Sequence, residues 1–289
     1  MKFSYVYLKG GLGNQLFQLA FANYLKNLNH KIFIDDSMFN DFKYANNTKR
    51  ELIFNIADFR FKNSSKFTKS LFKNLNKIFQ SKKIKKIVKP KKNKVFNYIK
   101  DKDLKEFKNN SLFTIYDGYW QEFEFIQDSK SFLISSLKNY SDISNSLTEK
   151  KISGSTLIHV RRQDYVQLHE ELDEQYYLKA INEARNSISN FYFDVFTDDA
   201  SWVTSRKLFK DANNIYSPKN KQEEKNEVIK VFSNMLRYEN FIIANSSFSY
   251  MAAFLGSSNK SKVFYPNPWF KNKTKNIFFN KTWNPIDLN

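Results

Sequence analysis

The stretch Leu157-Ile158-His159-Val160-Arg161-Arg162-Gln163-Asp164-Tyr165 decides how this chain is read. Thr156 to Val160 has the length, the partly β-branched content and the Ser153-Gly154-Ser155 boundary of a buried strand. Two adjacent arginines follow it directly. In an open α/β sheet the carboxyl ends of the strands border the ligand crevice, so Arg161 and Arg162 stand where an anion is received. A guanidinium is permanently charged and its planar fork matches phosphate oxygens. Either arginine therefore suits a diphosphate that gains charge as a bond breaks. Asp164, three residues beyond Arg161, can orient that guanidinium or accept a proton. An exposed salt bridge at a strand end explains the same residues without any ligand.

Downstream, Asp173 to Ile188 has helical spacing, and Phe191 to Phe196 reads as a strand that ends in Thr197-Asp198-Asp199. These carboxylates can accept hydrogen bonds from guanine N1 and N2 or from ribose hydroxyls. They can equally cap the helix that follows. They do not form a DxD motif, so no metal is assigned to them, and Asp101-Lys102-Asp103, which does, reads as an exposed pair. Phe241 to Ala244 is a further strand, followed by the hydroxyl-rich turn Asn245-Ser246-Ser247-Phe248-Ser249 and a small-residue helix. Amides and hydroxyls at that helix start form a second anion cradle, whereas a simple N-cap needs one hydroxyl. A short strand spans Lys262 to Tyr265, and the tail through Trp283-Asn284-Pro285 can cross back to the first domain.

Upstream, Phe3 to Leu8 reads as the first strand, and a helix follows from about Leu16 to Leu28. Between them lies Gly10-Gly11-Leu12-Gly13-Asn14-Gln15. Gly11 and Gly13 let backbone amides approach a phosphate at a helix start. The turn lacks the third glycine of a dinucleotide fingerprint and the lysine of a P-loop, so a plain tight turn accounts for it too. Lys31 to Asp35 is a second strand. Thr114 to Gln121 is another, and its Gly118-Tyr119-Trp120 suits either stacking on a sugar ring or an aromatic core corner. Ser129 to Leu147 reads as one helix leading into a polar link, which places a domain boundary near Lys151: an N-terminal domain 1–151 and a C-terminal domain 152–289.

Composition sets the outer limits. At 289 residues the chain has material for two cores, and thirty Phe with sixteen Tyr exclude a disordered protein. With no cysteine, disulfides, thiolate nucleophiles and zinc-thiolate sites are excluded. His30, His159 and His169 are scattered, which argues against a metal site. The first residues are too short and polar for a signal peptide, and no apolar run reaches the roughly 18 residues needed to span a bilayer. The expectation is a cytoplasmic protein, soluble or peripheral at the inner face of the membrane.

The net charge of +18 is concentrated, because residues 62–105 hold sixteen lysines against Asp101 and Asp103 alone. Within this segment Phe67, Leu71, Phe72, Leu75, Ile78 and Phe79 recur at helical spacing. A basic amphipathic helix of this kind either lies on an anionic membrane surface or packs its apolar stripe on the domain. Nucleic acid is not expected, since no binding motif accompanies the charge.

Five stretches occur together in one order: Gly10 to Gln18, Gly118-Tyr119-Trp120-Gln121, His159 to Tyr165, Phe196-Thr197-Asp198-Asp199 and Asn245 to Ser249. With Pro266-x-Pro268-Trp269 they resemble the bacterial α1,2-fucosyltransferases of glycosyltransferase family 11. The resemblance implies an α/β, GT-B-like architecture, with two Rossmann-like domains facing a cleft and GDP-fucose held mainly by the second. It implies inverting, metal-independent transfer of fucose, with no cofactor, to O2 of a β-galactoside in surface polysaccharide or O-antigen synthesis, the acceptor glycan being free or lipid-linked.

On that resemblance Arg161 meets the β-phosphate, Arg162 supports the loop or a second oxygen, and His159 orients the donor. Asp198 and Asp199 serve guanine or ribose, with Thr197 beside them. Asn245, Ser246, Ser247, Phe248 and Ser249 cap the diphosphate, and Asn14 closes the site with Gly11, Gly13 and Gln15. Asp164 is the nearest carboxylate to act as base, with Glu170 and Glu171 behind it. The chain departs from the family at Gln163, where glycine is usual, at Tyr250-Met251, which replaces an aromatic pair, and in its lysine-rich insert. Two other readings remain: the same fold with a different nucleotide-sugar donor, and a non-catalytic basic protein that binds membrane or polymer.

Overall fold

The computed structural model describes residues 1–39, 50–63, 96–101, 111–217, 225–271 and 280–288. They form an α/β protein with two compact units, one of residues 1–121 with 131–136 and one of 122–130 with 137–289.

The first unit is a five-stranded parallel sheet in the order β3-β2-β1-β5-β4, built from β1 (Lys2–Tyr7), β2 (His30–Asp35), β3 (Lys62–Asn63), β4 (Phe96–Lys100) and β5 (Phe113–Asp117). Its first helix, α1 (Leu12–Asn27), is buried around most of its circumference, from Leu12 through Leu25. A helix apolar on nearly every side has to be enclosed by its neighbours. Lys26 lies in its last turn, where a cation suits the carbonyl end. Asn29 then takes the left-handed conformation, φ 62°, that lets the chain leave the helix for β2.

The second unit is a six-stranded parallel sheet in the order β11-β10-β9-β6-β7-β8. Its strands are β6 (Ser155–Val160), β7 (Tyr192–Thr197), β8 (Ile215–Tyr216), β9 (Asn240–Ile242), β10 (Val263–Asn267) and β11 (Asn284–Asp287). Its helices are α3 (Ser141–Thr148), α4 (Gln163–Gln167), α5 (Glu174–Ser187), α6 (Ala200–Thr204), α7 (Lys225–Met235) and α8 (Ser247–Gly256), while α2 (Lys130–Ser136) straddles the division between units. In both sheets the strand order reverses beside the first strand of the unit, between β1 and β5 and between β6 and β9. Ligands of doubly wound sheets bind at such reversals.

Four sequence expectations change. The units divide after Gln121 instead of near Lys151, because α3 belongs to the second core: Ile143 is fully buried, and Lys151 Nζ donates to the carbonyls of Ser146 and Leu236. The single helix read over 129–147 is two, α2 and α3, broken at Leu137–Asn139. The tail does not cross back. It forms β11 at the edge of the second sheet, parallel to β10, where Pro285 is tolerated because an edge strand need not donate on both sides. The lysine-rich segment, where described, is strand and not helix, at Lys62–Asn63 and Phe96–Lys100. The amphipathic helix read through Phe67 to Phe79, like Lys102 and Asp103, lies outside the described residues.

Candidate functional site

Every residue of β6 is buried, so the strand is a fixed base from which the chain emerges at Arg161. The Arg161 guanidinium lies 2.7 Å from Asp164 Oδ1 and 2.9 Å from Asp198 Oδ2, with its side chain 17% exposed. Its cationic end also sits 5.7 Å from the centre of the Tyr165 ring. Asp198 uses its other oxygen, Oδ1, to accept from the Arg162 backbone amide at 2.8 Å. One carboxylate at the end of β7 thus fixes both arginines at the end of β6. Burial raises the Asp198 pKa, against the opposing pull of Arg161.

Arg162 is held from two other sides. Its Nε is 3.2 Å from Asp199 Oδ2, and its guanidinium stacks 4.4 Å from the Trp202 ring. Asp199 also caps α6, accepting from Trp202 N at 3.0 Å and from the Ser201 hydroxyl at 2.8 Å. Partial burial would raise its pKa, but these bonds and Arg162 outweigh it, and the carboxyl titrates below its usual range. Thr197 Oγ1 accepts from the Asp199 amide at 2.9 Å, and the Gln163 side chain donates to Asp198 O at 3.0 Å.

The two carboxylates read for guanine or ribose thus have partners within the chain. Both carboxylates are committed, one to the arginines and one to a helix cap with Arg162. Thr197 has such a partner in the Asp199 amide, and Arg162 is tied to the loop through its own backbone amide and Asp199.

The end of β9 is tied to the same loop. The Tyr165 hydroxyl donates to Asn245 O at 3.0 Å, and Asn245 Nδ2 donates to Glu170 O at 2.7 Å. Burial pushes the Tyr165 phenol up to about 12, so it remains a donor at neutral pH. Ser246 caps α8 by accepting from Phe248 N, and Ser249 turns inward to the carbonyls of Ala244 and Ser246. Two of the three serine hydroxyls thus serve the turn itself, which narrows the expected cradle to the half-exposed first turn at Ser247 and Phe248. Beside the arginines, His159 Nδ1 and Asn245 Oδ1 are buried and have no hydrogen-bond partner among the described residues. Burial and the neighbouring Arg161 push the His159 ring down to about 3, so it is neutral.

In the first unit, Gly10 has φ 79°, and a Cβ there would meet Asn14 Nδ2 at 2.6 Å and the Tyr119 ring at 3.2 Å. Glycine is required by both conformation and space. Helix α1 starts after Gly11 with no side-chain cap. Asn14 is half-buried, and its Oδ1 accepts from Gln121 Nε2 at 2.7 Å. Gln15 is buried, and its amide donates to Gly10 O and Glu51 O and accepts from Ile53 N. Gly13 is buried within α1. Trp120 is fully buried and stacked 4.4 Å from Phe21, so of the expected sugar-stacking pair Tyr119 alone, 39% exposed, faces outward.

The sequence reading missed a cluster at this sheet's carboxyl edge. Lys9 Nζ pairs with Asp117 Oδ1 at 2.7 Å and lies 5.0 Å from the Tyr119 ring, while the Tyr98 hydroxyl donates to the other Asp117 oxygen. Asp101, read as an exposed acid, accepts from the amides of Tyr119 and Trp120 at 2.7 and 3.0 Å. A charged residue directly after a predicted strand, as at Lys9, was the available signal.

Comparison with known proteins bears on this arrangement. The family model for glycosyl transferase family 11 matches residues 4–287. The O-antigen biosynthesis glycosyltransferase WbnK of Escherichia coli is 28% identical over 303 aligned residues, covering 96% of this chain and 99% of that one. An Escherichia coli alpha-1,2-colitosyltransferase is 29% identical over 177 residues, 56% of this chain and 58% of that enzyme. Among solved structures, Arabidopsis thaliana FUT1 in complex with GDP is similar with a TM-score of 0.50 at 12% identity, over 91% of this chain and 70% of that one. NodZ alpha-1,6-fucosyltransferase crystallised with GDP gives a TM-score of 0.45 at 15% identity, over 88% and 92%.

Proposed function

We propose, because the chain belongs to glycosyl transferase family 11, that it is a fucosyltransferase moving fucose from GDP-fucose to O2 of a β-galactoside, with inversion and without a metal, in O-antigen assembly. The observation that carries this reading is Arg161, held by Asp164 and Asp198 at the carboxyl end of β6, on the strand next to the one that leads into α8. Its relative WbnK is named for O-antigen biosynthesis, which supports the polysaccharide context.

The chemistry follows from charge. As the acceptor O2 forms its bond to C1 of fucose, the bond from C1 to the β-phosphate oxygen breaks and the electron pair stays on GDP. A guanidinium fixed beforehand stabilises that charge without reorganising. The diphosphate competes with Asp164 for Arg161, and Asp164, 44% exposed, is the carboxylate this exchange releases to take the proton from O2. Neutral His159 adds no charge at neutral pH and offers one ring nitrogen to the donor. The half-exposed first turn of α8 supplies amide donors.

A second donor has a specific observation behind it, the likeness to an alpha-1,2-colitosyltransferase. Colitose is fucose without its C3 hydroxyl. Incubation of the full chain with a β-galactoside and either GDP-fucose or GDP-colitose, with and without EDTA, separates the readings. The expected product carries an α1,2-linked fucose by NMR and forms equally in EDTA. Turnover of GDP-colitose alone would replace the donor, and loss of turnover in EDTA would remove metal independence. Among the described residues no helix is long and apolar enough to cross a membrane. Peripheral contact through the lysine-rich run belongs to the same proposal, and co-flotation with anionic vesicles, absent with neutral ones, tests it.

A further inference from the structure

Asp198 and Asp199, read for the nucleobase, already hold the arginines and a helix cap. The register of the second sheet offers a surface instead. His159 is paired with Phe196, and Phe196 with Tyr216, across three adjacent parallel strands. Residues in register share a face, so three rings form a row near the carboxyl edge of β6, β7 and β8. The row runs from a buried end to an open one. His159 is 7% exposed with an unpartnered Nδ1, Phe196 is buried, and Tyr216 is 42% exposed.

Tyr216 is not a loose surface side chain. Its ring lies 4.6 Å from that of Phe196, which is itself braced edge-on by Tyr238, 5.8 Å away. The Tyr238 hydroxyl donates to Asp194 at 2.5 Å, and Asp194 also accepts from Asn214 at 3.1 Å. A flat, open π-face is therefore backed by a fixed aromatic layer. At the other end of the row the unpartnered His159 nitrogen awaits a polar group, and the chain leads within two residues to Arg161.

We propose that Tyr216 is the stacking platform for the purine base of the nucleotide sugar, with the diphosphate at Arg161. The assignment rests on the donor reading above and adds the residue that holds its base. Stacking of a nucleobase on an aromatic side chain is worth enough that its removal weakens binding about tenfold or more. It needs a π-face and tolerates loss of the hydroxyl.

The test is calorimetric titration of the full chain with GDP and, separately, with inorganic pyrophosphate, which lacks the base. The unmodified chain is expected to bind GDP more than about tenfold tighter than pyrophosphate. Tyr216→Leu, which keeps apolar bulk on the short edge strand, and Tyr216→Ala should each weaken GDP by about tenfold and leave pyrophosphate within about twofold, while Tyr216→Phe binds both as the parent does. Equal affinities of the unmodified chain for GDP and pyrophosphate overturn the platform without needing a variant. So does Tyr216→Leu binding GDP like the parent, or losing GDP and pyrophosphate in equal proportion. Normal GDP binding with no sugar transfer would sink the donor reading and leave the platform standing. No binding of either ligand removes both.

Discussion

The carboxyl edges of the two sheets hold the same ingredients and use them differently. In the first unit Lys9, Asp117 and Tyr98 close on one another, and Asp101 fastens the backbone of Tyr119 and Trp120. The Asp117 carboxyl is met by a cation on one oxygen and a hydroxyl on the other. Burial opposes its ionisation, yet Lys9 and Tyr98 win and hold it low. In the second unit the cations are arginines, Arg161 shared between two carboxylates and the Tyr165 ring and Arg162 between Asp199 and the Trp202 ring. There the neighbouring strand ends keep two buried polar atoms unpaired, His159 Nδ1 and Asn245 Oδ1. A buried polar group without a partner costs about 1–3 kcal/mol, a cost that a ligand can remove. The first unit also buries unpartnered polar atoms, Asn97 Nδ2 and Trp120 Nε1, but its charged groups close on one another, whereas at the second edge the unpartnered atoms stand beside the arginines, where a ligand would complete them.

The contrast predicts that damage at the first edge shows in folding and damage at the second shows in turnover. The largest effect should come from Trp120→Ala, which empties a fully buried site stacked on Phe21. It should cost about 3–5 kcal/mol of stability, read by denaturant unfolding. A loss under about 1 kcal/mol, with a selective loss of acceptor binding, would mean that Trp120 meets the sugar after all. Next is Arg161→Ala, expected to lower single-turnover transfer by about 10²–10³-fold, or about 2.7–4 kcal/mol. Its melting temperature should move little, since the arginine is tied at an edge and not in the core. Lys9→Ala matching that loss of rate would erase the distinction between the edges.

Much of this was legible in the sequence. β6, β7 and β9 announced themselves as short apolar runs, and the arginines at the end of β6 marked the edge that matters. The roles of Asp198 and Asp199 were not legible, because a carboxylate at a strand end looks the same whether it meets a ligand or the next strand's arginine. That choice is made by strand order, and β6 and β7 are neighbours through a crossover that spacing does not reveal. Trp120 was ambiguous for a related reason. Its left-handed backbone, φ 55°, turns the ring inward onto α1, and the Asp101 carboxylate, nineteen residues earlier, holds that turn. The division at Gln121 was hidden because α3 carries little hydrophobic signal beyond Ile143. Tyr216 was passed over because a two-residue strand has no periodicity to read.

The third effect is a pH dependence of stability. The His159 pKa is depressed to about 3 in the folded chain, against about 6.5 when unfolded. Between these values the unfolded chain binds the extra proton, so stability rises with pH across the window and is lost as pH falls below about 6.5. The slope from this one group is about 1.4 kcal/mol per pH unit. His159→Asn should flatten the stability curve between about pH 6.5 and 5 by that amount, measured by urea unfolding in a buffer series. An unchanged slope in the variant would mean that the ring reaches water, and the second edge would then lose its distinction from the first.

The smallest effect tests the second edge from its structural side. Asp199 does two jobs, capping α6 through Trp202 N and bracing Arg162. Losing an N-cap costs typically about 1 kcal/mol, and the partly exposed ion pair adds at most about 1 kcal/mol. Because the folded carboxyl titrates below its usual value, its contribution is present above the unfolded value of about 3.9 and fades as pH falls through the folded one. Asp199→Asn keeps an oxygen for the cap and loses the charge, whereas Asp199→Ala loses both. If the arginine loop depends on charge, Asn and Ala should slow transfer alike, by a few-fold, while Ala alone lowers the melting temperature. If Asn restores the rate as well as the stability, the cap alone positions Arg162, and the reactive end of the second sheet reduces to Arg161 with its two carboxylates.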